Sequence, residues 1–192
     1  YYALYKRLEA EAAKENIPVQ IIPGMEVYAS ENVLELLQQG KIITIGGSRY
    51  LMIEFGMQKD LALINFLIDE LLAMGYIPVI AHPERYPYVQ KSPQLAANWL
   101  KQGCLLQLDA GSVLGSFGRQ AKNTAIYMLE RNMVSFVASD AHGERHRTAD
   151  LSTVFDFLCS NFSLDLAIML LEDNPAKVIY NHDFSEMKLM LG

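Results

Sequence analysis

Long uncharged apolar runs are absent from this chain of 192 residues, and so is a surplus of basic charge. No apolar stretch reaches the roughly 18 residues that a transmembrane helix requires, so we expect no membrane span. Lys and Arg number 16 against 22 Asp and Glu, and the net charge of −6 argues against a nucleic-acid partner. The remaining composition, 51% apolar and 20% charged, is typical of one globular domain.

Cysteine is also scarce, which excludes several kinds of chemistry. Only Cys104 and Cys159 are present, both in apolar segments, and we interpret them as buried free thiols in a reducing compartment, the cytoplasm. Neither begins the Cys-x5-Arg pattern of thiol phosphatases. A P-loop, a dinucleotide-binding glycine pattern and a Gly-x-Ser-x-Gly motif are missing as well. Any catalytic chemistry must therefore come from other groups.

Apolar runs of strand length alternate with segments of helical periodicity, which predicts a parallel α/β fold in a single domain, residues 1–192. Strands are predicted at residues 19–27, 42–45, 50–55, 76–82, 104–109 and 134–140. Helices are predicted at residues 1–16, 31–39, 60–74, 93–103, 119–132, 149–160, 164–172 and 175–181, with a glycine-rich loop at 111–118.

Acidic and histidine side chains recur where these predicted strands end. Asp140 and His142 follow an apolar run, and their spacing points both side chains the same way if the segment is extended. A loop with local hydrogen bonds would explain that pair equally well. Because the carboxyl ends of parallel strands meet at one rim, further residues at strand ends would lie nearby. Three more donors have that position: Glu26, Glu54 and His82.

These five donors together predict a metal site. A lone buried carboxylate such as Glu54 is more often a salt-bridge partner, because burying an unpaired charge is costly. Five carboxylate and imidazole donors on one rim favour a metal instead, and the mixture suits Mn, Fe or Zn better than Ca. Carboxylates can bridge ions, so we expect more than one, and such sites activate water for displacement at phosphorus.

Two arginines follow the predicted histidine ligands. Arg85 comes three residues after the first and Arg147 five residues after the second. A guanidinium group matches the oxygens of a phosphoryl group in a bidentate manner. Ion pairs with neighbouring glutamates would explain each arginine alone, but because both flank ligands we favour oxyanion binding. Tyr86 lies on the same rim, where it could form a wall of a substrate pocket.

The ordered motifs resemble the bacterial manganese-dependent tyrosine phosphatases of the polymerase and histidinol phosphatase (PHP) superfamily. The motifs are Ile22-Pro-Gly-Met-Glu26, Ile53-Glu54-Phe55, Pro78-Val-Ile-Ala-His82-Pro-Glu-Arg85-Tyr86 and Ala138-Ser-Asp140-Ala-His142. The resemblance implies a distorted TIM-like barrel of seven β/α units with two or three Mn²⁺ ions, or with Fe, Zn or Mg in their place. It implies metal ligands at Glu26, Glu54, His82, Asp140 and His142, and phosphoryl contacts at Arg85 and Arg147.

The resemblance also implies a function. Family members remove phosphate from tyrosine in the tail of a cognate autophosphorylating kinase, and they belong to capsular and exopolysaccharide gene clusters. We therefore expect a hydrolase whose partner is a phosphotyrosine protein, in a monomer or an oligomer. The leading alternative is another phosphoesterase on this scaffold, such as a histidinol-phosphate phosphatase.

The start of the chain departs from the family pattern. The family opens with a strand that carries His-x-His and adds a further His ligand in the next β/α unit, whereas this sequence starts at Tyr1 with Leu4 and Leu8 already at helical spacing. We therefore expect the N-terminal strands, with three metal ligands, to be missing from this sequence. An inactive regulatory module is the reading to prefer only if the protein truly starts at Tyr1.

Overall fold

Five parallel strands form one sheet in the computed structural model, which describes residues 1–58 and 60–184. The strands are hydrogen-bonded in the same order in which they occur along the chain. The predicted parallel α/β arrangement is thus confirmed. The strands are β1 (Glu26–Tyr28), β2 (Tyr50–Glu54), β3 (Ile77–Ala81), β4 (Leu105–Asp109) and β5 (Phe136–Ala138).

Helices connect consecutive strands and also follow the last one. Within the described residues, no helix combines the length and apolarity that crossing a membrane would need. Two 3-10 turns lie at Ile45–Gly47 and Pro83–Arg85, and a π-helical turn lies at Met169–Asp173. The α-helices are α1 (Tyr2–Lys14), α2 (Val33–Gln38), α3 (Leu61–Ala73), α4 (Pro87–Lys91), α5 (Gln94–Gln102), α6 (Ala110–Leu114), α7 (Arg119–Glu130), α8 (Ser152–Asn161), α9 (Leu164–Ile168) and α10 (Asn174–Ile179).

Side chains alternate along each strand, so the sheet has two different faces. One face packs against helices in the larger core, where Ile53 of β2 and Trp99 of α5 are buried together. The other face carries a smaller apolar cluster in which Tyr50 and Phe136 contact the ring of Phe184 edge to face. The position of a residue in its strand therefore decides whether its side chain lies in the larger core or on the face of the smaller cluster.

Polar side chains appear where this second face reaches the carboxyl ends of its strands. Glu54 shares the face of Tyr50 because the two are four residues apart in β2, and Asp109 likewise shares the face of Leu105 in β4. The apolar cluster lies toward the amino ends of the strands, while the carboxyl ends carry carboxylates. This arrangement positions charged groups at one edge of the sheet.

Three segments differ from the prediction. The strand predicted at 19–27 is confined to β1, since Pro23 and Gly24 interrupt the preceding residues. The edge strand predicted at 42–45 was wrong, because residues 42–44 have no strand pairing and a 3-10 turn begins at Ile45. The loop predicted at 111–118 is partly helical: α6 occupies its beginning and ends at Gly115, whose φ of +98° favours glycine.

Candidate active site

A cavity of about 280 Å³ lies at the carboxyl ends of the strands. It brings together all of the predicted site residues except Tyr86, and it adds Tyr28, which the prediction did not include. Residues far apart in the sequence meet here because consecutive parallel strands end at the same edge. Glu26 was expected near the end of its strand, but it is the first residue of the three-residue β1, which Tyr28 ends. Its lining residues are Glu26, Tyr28, Glu54, His82, Arg85, Asp140, His142 and Arg147.

Glu26, Glu54 and His82 form a compact group of donors within the cavity. Their candidate ligand atoms all lie within 4.8 Å of one another. The Nε2 atom of His82 is 3.1 Å from Glu26 Oε1 and 3.5 Å from Glu54 Oε1. Since this nitrogen lies beside two carboxylate oxygens, the mixed oxygen and nitrogen set fits a divalent transition-metal ion.

His82 is buried and directly follows β3. Its φ of +33° is left-handed, and Pro83 follows directly. Burial tends to lower the pKa of His82, but the hydrogen bond with Glu26 and the charge of Asp109 outweigh burial, so the pKa is raised. The same hydrogen bond holds the pKa of Glu26 below its usual value. The carboxylates therefore stabilise a positive charge on the imidazole. A bound cation would take the place of that charge.

Arg85 and Arg147 form a second group in the same cavity. Arg85 Nη1 donates to Asp109 Oδ2 at 2.9 Å and lies 3.4 Å from Asp140 Oδ2. Arg147 Nη2 donates to the same oxygen of Asp140. Both guanidinium groups also lie against the ring of Phe117. Two guanidinium groups that converge on one carboxylate oxygen have the arrangement needed to bind a phosphoryl oxyanion.

Asp140 and His142 reach the cavity differently from the sequence expectation. β5 ends at Ala138, so the two residues lie in the following loop, where Asp140 has a φ of +46°. The Asp140 side chain is 10% exposed and lies among the arginines, while that of His142 is 61% exposed. His142 Nδ1 lies 2.8 Å from the carbonyl oxygen of Asp140. Neither residue belongs to the compact donor group found among the described residues.

Tyr86 lies in the core, which corrects the expectation that it forms a wall of the substrate pocket. Its side chain is fully buried, and its hydroxyl donates to the carbonyl of Ala81 at 2.7 Å and accepts from the backbone N–H of Phe55 at 2.9 Å. The 3-10 turn Pro83–Arg85 turns the chain between His82 and Tyr86. The arginine therefore faces the cavity while the tyrosine beside it does not.

The prediction missed two residues that lie at strand ends. Tyr28 comes two residues after Glu26 in β1, so the alternation rule would have placed both side chains on one side. Asp109 ends β4 and is fully buried. Burial raises the pKa of Asp109, although His82 and Arg85 oppose that shift. The rule that selected Glu54, an acidic residue at the end of an apolar strand, would also have selected Asp109.

Glu84 lies behind the cavity and is fully buried. Its Oε1 accepts from the backbone N–H of Asp109 at 3.2 Å. Burial and the nearby charge of Asp109 raise the pKa of Glu84 to about 7. This carboxyl group is therefore mostly protonated in the folded chain below neutral pH.

Comparison with known proteins identifies the family. Residues 2–180 match the family described as capsular polysaccharide synthesis, CpsB/CapC. The chain is 32% identical to the tyrosine-protein phosphatase YwqE of Bacillus subtilis over 167 residues, which cover 87% of the chain and 66% of that protein. It is 33% identical to the tyrosine-protein phosphatase CpsB of Streptococcus pneumoniae over 175 residues, or 88% of the chain and 72% of that protein.

A solved structure agrees with these matches. It comes from work on YwqE of Bacillus subtilis and CpsB of Streptococcus pneumoniae, described as unique metal-dependent tyrosine phosphatases. It superposes with a TM-score of 0.86 at 31% identity and covers 93% of this chain and 72% of that one. The resemblance seen in the sequence motifs is confirmed: the chain belongs to the CpsB/CapC family of capsular polysaccharide synthesis proteins.

Proposed function

We propose that this chain carries the active site of a metal-dependent tyrosine phosphatase, which hydrolyses phosphotyrosine in a protein. The observation that carries the proposal is one cavity that contains both the donor group of Glu26, Glu54 and His82 and the arginine pair. Metal-assisted hydrolysis of a phosphate monoester uses a cation to polarise the phosphoryl group and positive charge for its remaining oxygens. The names of the relatives support the same reaction.

The cation would be held by the compact donor group. Glu26, Glu54 and His82 supply two carboxylates and an imidazole, and Asp140 and His142, which line the same cavity, would add further donors. We propose Mn²⁺, in a site of two or three ions, with Fe, Zn or Mg as the alternatives. When bound, the metal supplies Lewis-acid charge and a water molecule of lowered pKa.

Arg85 and Arg147 bind and orient the phosphoryl group. Their guanidinium groups neutralise the oxygens that do not react, and this stabilises the charge that develops in the transition state. The leaving group is a phenolate, whose conjugate acid has a pKa near 10, so it departs with less assistance than an alkoxide would need. Catalysis of this reaction therefore depends more on binding the phosphoryl oxygens than on a general acid that protonates the leaving group.

Tyr28 gives the cavity an aromatic wall. Its side chain is 60% exposed at the end of β1, next to Glu26. An aromatic ring beside the phosphate site supports a phosphotyrosine substrate, since the two rings can pack against each other. The cavity also lies at the open edge of the sheet, which a protein substrate can approach.

We further propose that the sheet belongs to a distorted TIM-like barrel of the PHP type in a single domain. Its strands are all parallel and neighbour one another in chain order, whereas an open doubly wound sheet reverses its order at a switch point. Its second face carries an apolar cluster that includes Tyr50, Val79 and Phe136, as the inward face of a barrel strand would.

The proposed partner is the phosphorylated tail of an autophosphorylating bacterial tyrosine kinase that controls capsule or exopolysaccharide synthesis. The family description supports a role in capsular polysaccharide synthesis. We place this reaction in the cytoplasm, and the unpaired state of Cys104 and Cys159 supports a reducing compartment.

The test compares substrates on the full chain supplied with Mn²⁺. We expect a phosphotyrosine peptide to be hydrolysed with a higher kcat/KM than a phosphoserine peptide or histidinol phosphate, and we expect excess EDTA to abolish turnover. Full activity in EDTA would contradict the metal-dependent reaction. Faster turnover of histidinol phosphate than of the peptide would favour a small-molecule phosphatase instead.

A further inference from the structure

Phe117 contacts both arginines of the cavity. The Cζ atom of Arg85 lies 4.6 Å from the centre of the Phe117 ring, and that of Arg147 lies 5.4 Å from it. Both distances are within the roughly 6 Å over which the face of an aromatic ring attracts a cation. Because like charges repel, one ring that attracts both guanidinium groups favours keeping them side by side.

Gly111 makes room for this ring. A Cβ atom at Gly111 would lie 2.7 Å from Cε2 of Phe117 and 3.3 Å from Cδ2, closer than side chains normally approach. The chain turns back after α6, where the backbone N–H of Ser116 donates to the carbonyl of Gly111 at 2.7 Å. The ring of Phe117 therefore packs directly against the backbone at Gly111. The segment 111–117 contains none of the candidate metal donors.

Asp109 restrains Arg85 from another direction. It is fully buried, its Oδ2 accepts from Arg85, and its Oδ1 has no hydrogen-bond partner among the described residues. A buried carboxylate is costly unless it is paired, so Asp109 strongly favours the position of Arg85 that pairs with it. Asp140 is a less dedicated partner, because both arginines share it and it is also a candidate metal donor.

We infer that Phe117 and Asp109 are positioning residues that hold the two oxyanion-binding guanidinium groups ready for the phosphoryl group; this inference rests on the proposed function. Free arginine side chains have many rotamers, and ordering them during binding would weaken affinity for phosphate. The ring face and the buried carboxylate order them beforehand. Both residues act through the arginines, so removing either should weaken oxyanion binding and leave the metal donors unchanged.

The first experiment separates the ring from its position. Phe117→Leu removes the aromatic face but keeps an apolar side chain, whereas Gly111→Ala keeps the ring and displaces it. In the full chain with Mn²⁺, we expect each variant to bind inorganic phosphate about three- to thirtyfold more weakly by calorimetry. The kcat/KM for an aryl phosphate should fall similarly, and bound Mn²⁺ should stay at the parental amount. Phe117→Tyr, which keeps an aromatic face, should bind phosphate as tightly as the parent. Phe66→Leu, at an exposed site on α3, is the matched control.

The second experiment tests whether Asp109 acts through Arg85. We expect Asp109→Asn to weaken phosphate binding in the parental background. In the Arg85→Ala background the same change should have no further effect, because the residue that it positions is gone. An equal loss in both backgrounds would contradict a positioning role for Asp109.

The remaining outcomes distinguish this inference from the proposed function. Parental phosphate affinity in both Phe117→Leu and Gly111→Ala, with weakened affinity in Arg85→Ala, would overturn the positioning role and leave the proposed function standing. Loss of Mn²⁺ or of the native circular dichroism spectrum in Phe117→Leu, without rescue by Phe117→Tyr, would also overturn it. A parental chain that binds phosphate through Arg85 but does not hydrolyse phosphotyrosine would remove the proposed function alone.

Discussion

The two groups of residues in the cavity are built in different ways. The donor group of Glu26, Glu54 and His82 comes from three consecutive strands, whose separation the sheet fixes. Arg85 and Arg147 lie in loops beyond strand ends, and their positions depend on side-chain contacts. A metal ion requires fixed ligand distances, which strands provide. An oxyanion can be bound by long side chains, provided that other residues restrain them.

Asp140 connects the two groups. It is a predicted metal ligand, yet its Oδ2 contacts both arginines in this structure. It therefore links the geometry of the cation site to that of the oxyanion site. Variants in each group should reveal how far the two sites are independent.

The largest effect is expected in the donor group. Glu54→Ala removes one of three closely spaced donors, and we expect Mn²⁺ affinity to fall by more than about a hundredfold, since even residues that only support metal ligands account for ten- to a hundredfold. Hydrolysis should fall with it. Calorimetric titration with Mn²⁺ measures the change, and Glu70→Ala on the exposed side of α3 serves as the control. Parental affinity in Glu54→Ala would remove this residue from the metal site.

Arginine variants should separate catalysis from metal binding. We expect Arg85→Ala and Arg147→Ala each to lower turnover by roughly ten- to a hundredfold, because each removes a charge-assisted contact with the phosphoryl group. Bound Mn²⁺, measured by elemental analysis, should not change. Arg145→Ala, two residues from Arg147 and exposed, is the control. If the arginine variants lose their metal, the two groups are not independent.

Asp140→Asn should affect both groups at once. The change removes the charge that pairs with the arginines and that would contribute to cation binding. We expect Mn²⁺ affinity and phosphate affinity each to fall by about tenfold, a smaller loss for each ligand than in the direct variants. Paired titrations with the two ligands measure both changes. A loss confined to one ligand would assign Asp140 to that group alone.

Glu84→Gln should alter stability and have the smallest effect on the cavity. Because folding raises the pKa of Glu84 from 4.5 to about 7, the folded chain keeps a proton that the unfolded chain releases between these values. The stabilisation from this raised pKa is present at low pH and is lost as pH rises through this window, by about 3 kcal/mol in the free energy of unfolding. Glutamine cannot ionise, so the variant should lack this loss.

Urea unfolding of the metal-free chain at several pH values between about 5 and 8 measures the difference between parent and variant. The difference should favour Glu84→Gln more strongly as pH rises. Glu70→Gln, on an exposed helical surface, should follow the parent. A constant difference across this range would mean that Glu84 does not titrate there.

Much of the sheet could be predicted because its strands have a simple pattern. β2, β3 and β4 are short apolar runs bounded by turn residues, and their observed bounds lie within a residue of the prediction. Residues 19–25 also contain β-branched side chains, but they are not paired with another strand. Local composition alone does not determine pairing, which depends on neighbours that are distant in the sequence.

Most lining residues of the cavity could be predicted from their positions after strands, but the direction of a side chain could be predicted only within a strand. Glu54 follows the alternation of β2, so its direction could be inferred. Tyr86 could not be placed, because the left-handed φ of His82 and the following 3-10 turn change the direction of each side chain. The pairing of Arg85 with Asp109 joins the 3-10 turn after β3 to the end of β4, 24 residues away, and depends on tertiary packing.

The most direct test of the separate cation and oxyanion sites is a crystal structure of the chain grown with Mn²⁺ and inorganic phosphate. Anomalous diffraction locates manganese independently of the protein coordinates. We predict a manganese peak at bonding distance from oxygen or nitrogen atoms of Glu26, Glu54 and His82, with phosphate oxygens in contact with Arg85 and Arg147. Manganese bound elsewhere, or phosphate bound away from both arginines, would contradict this account.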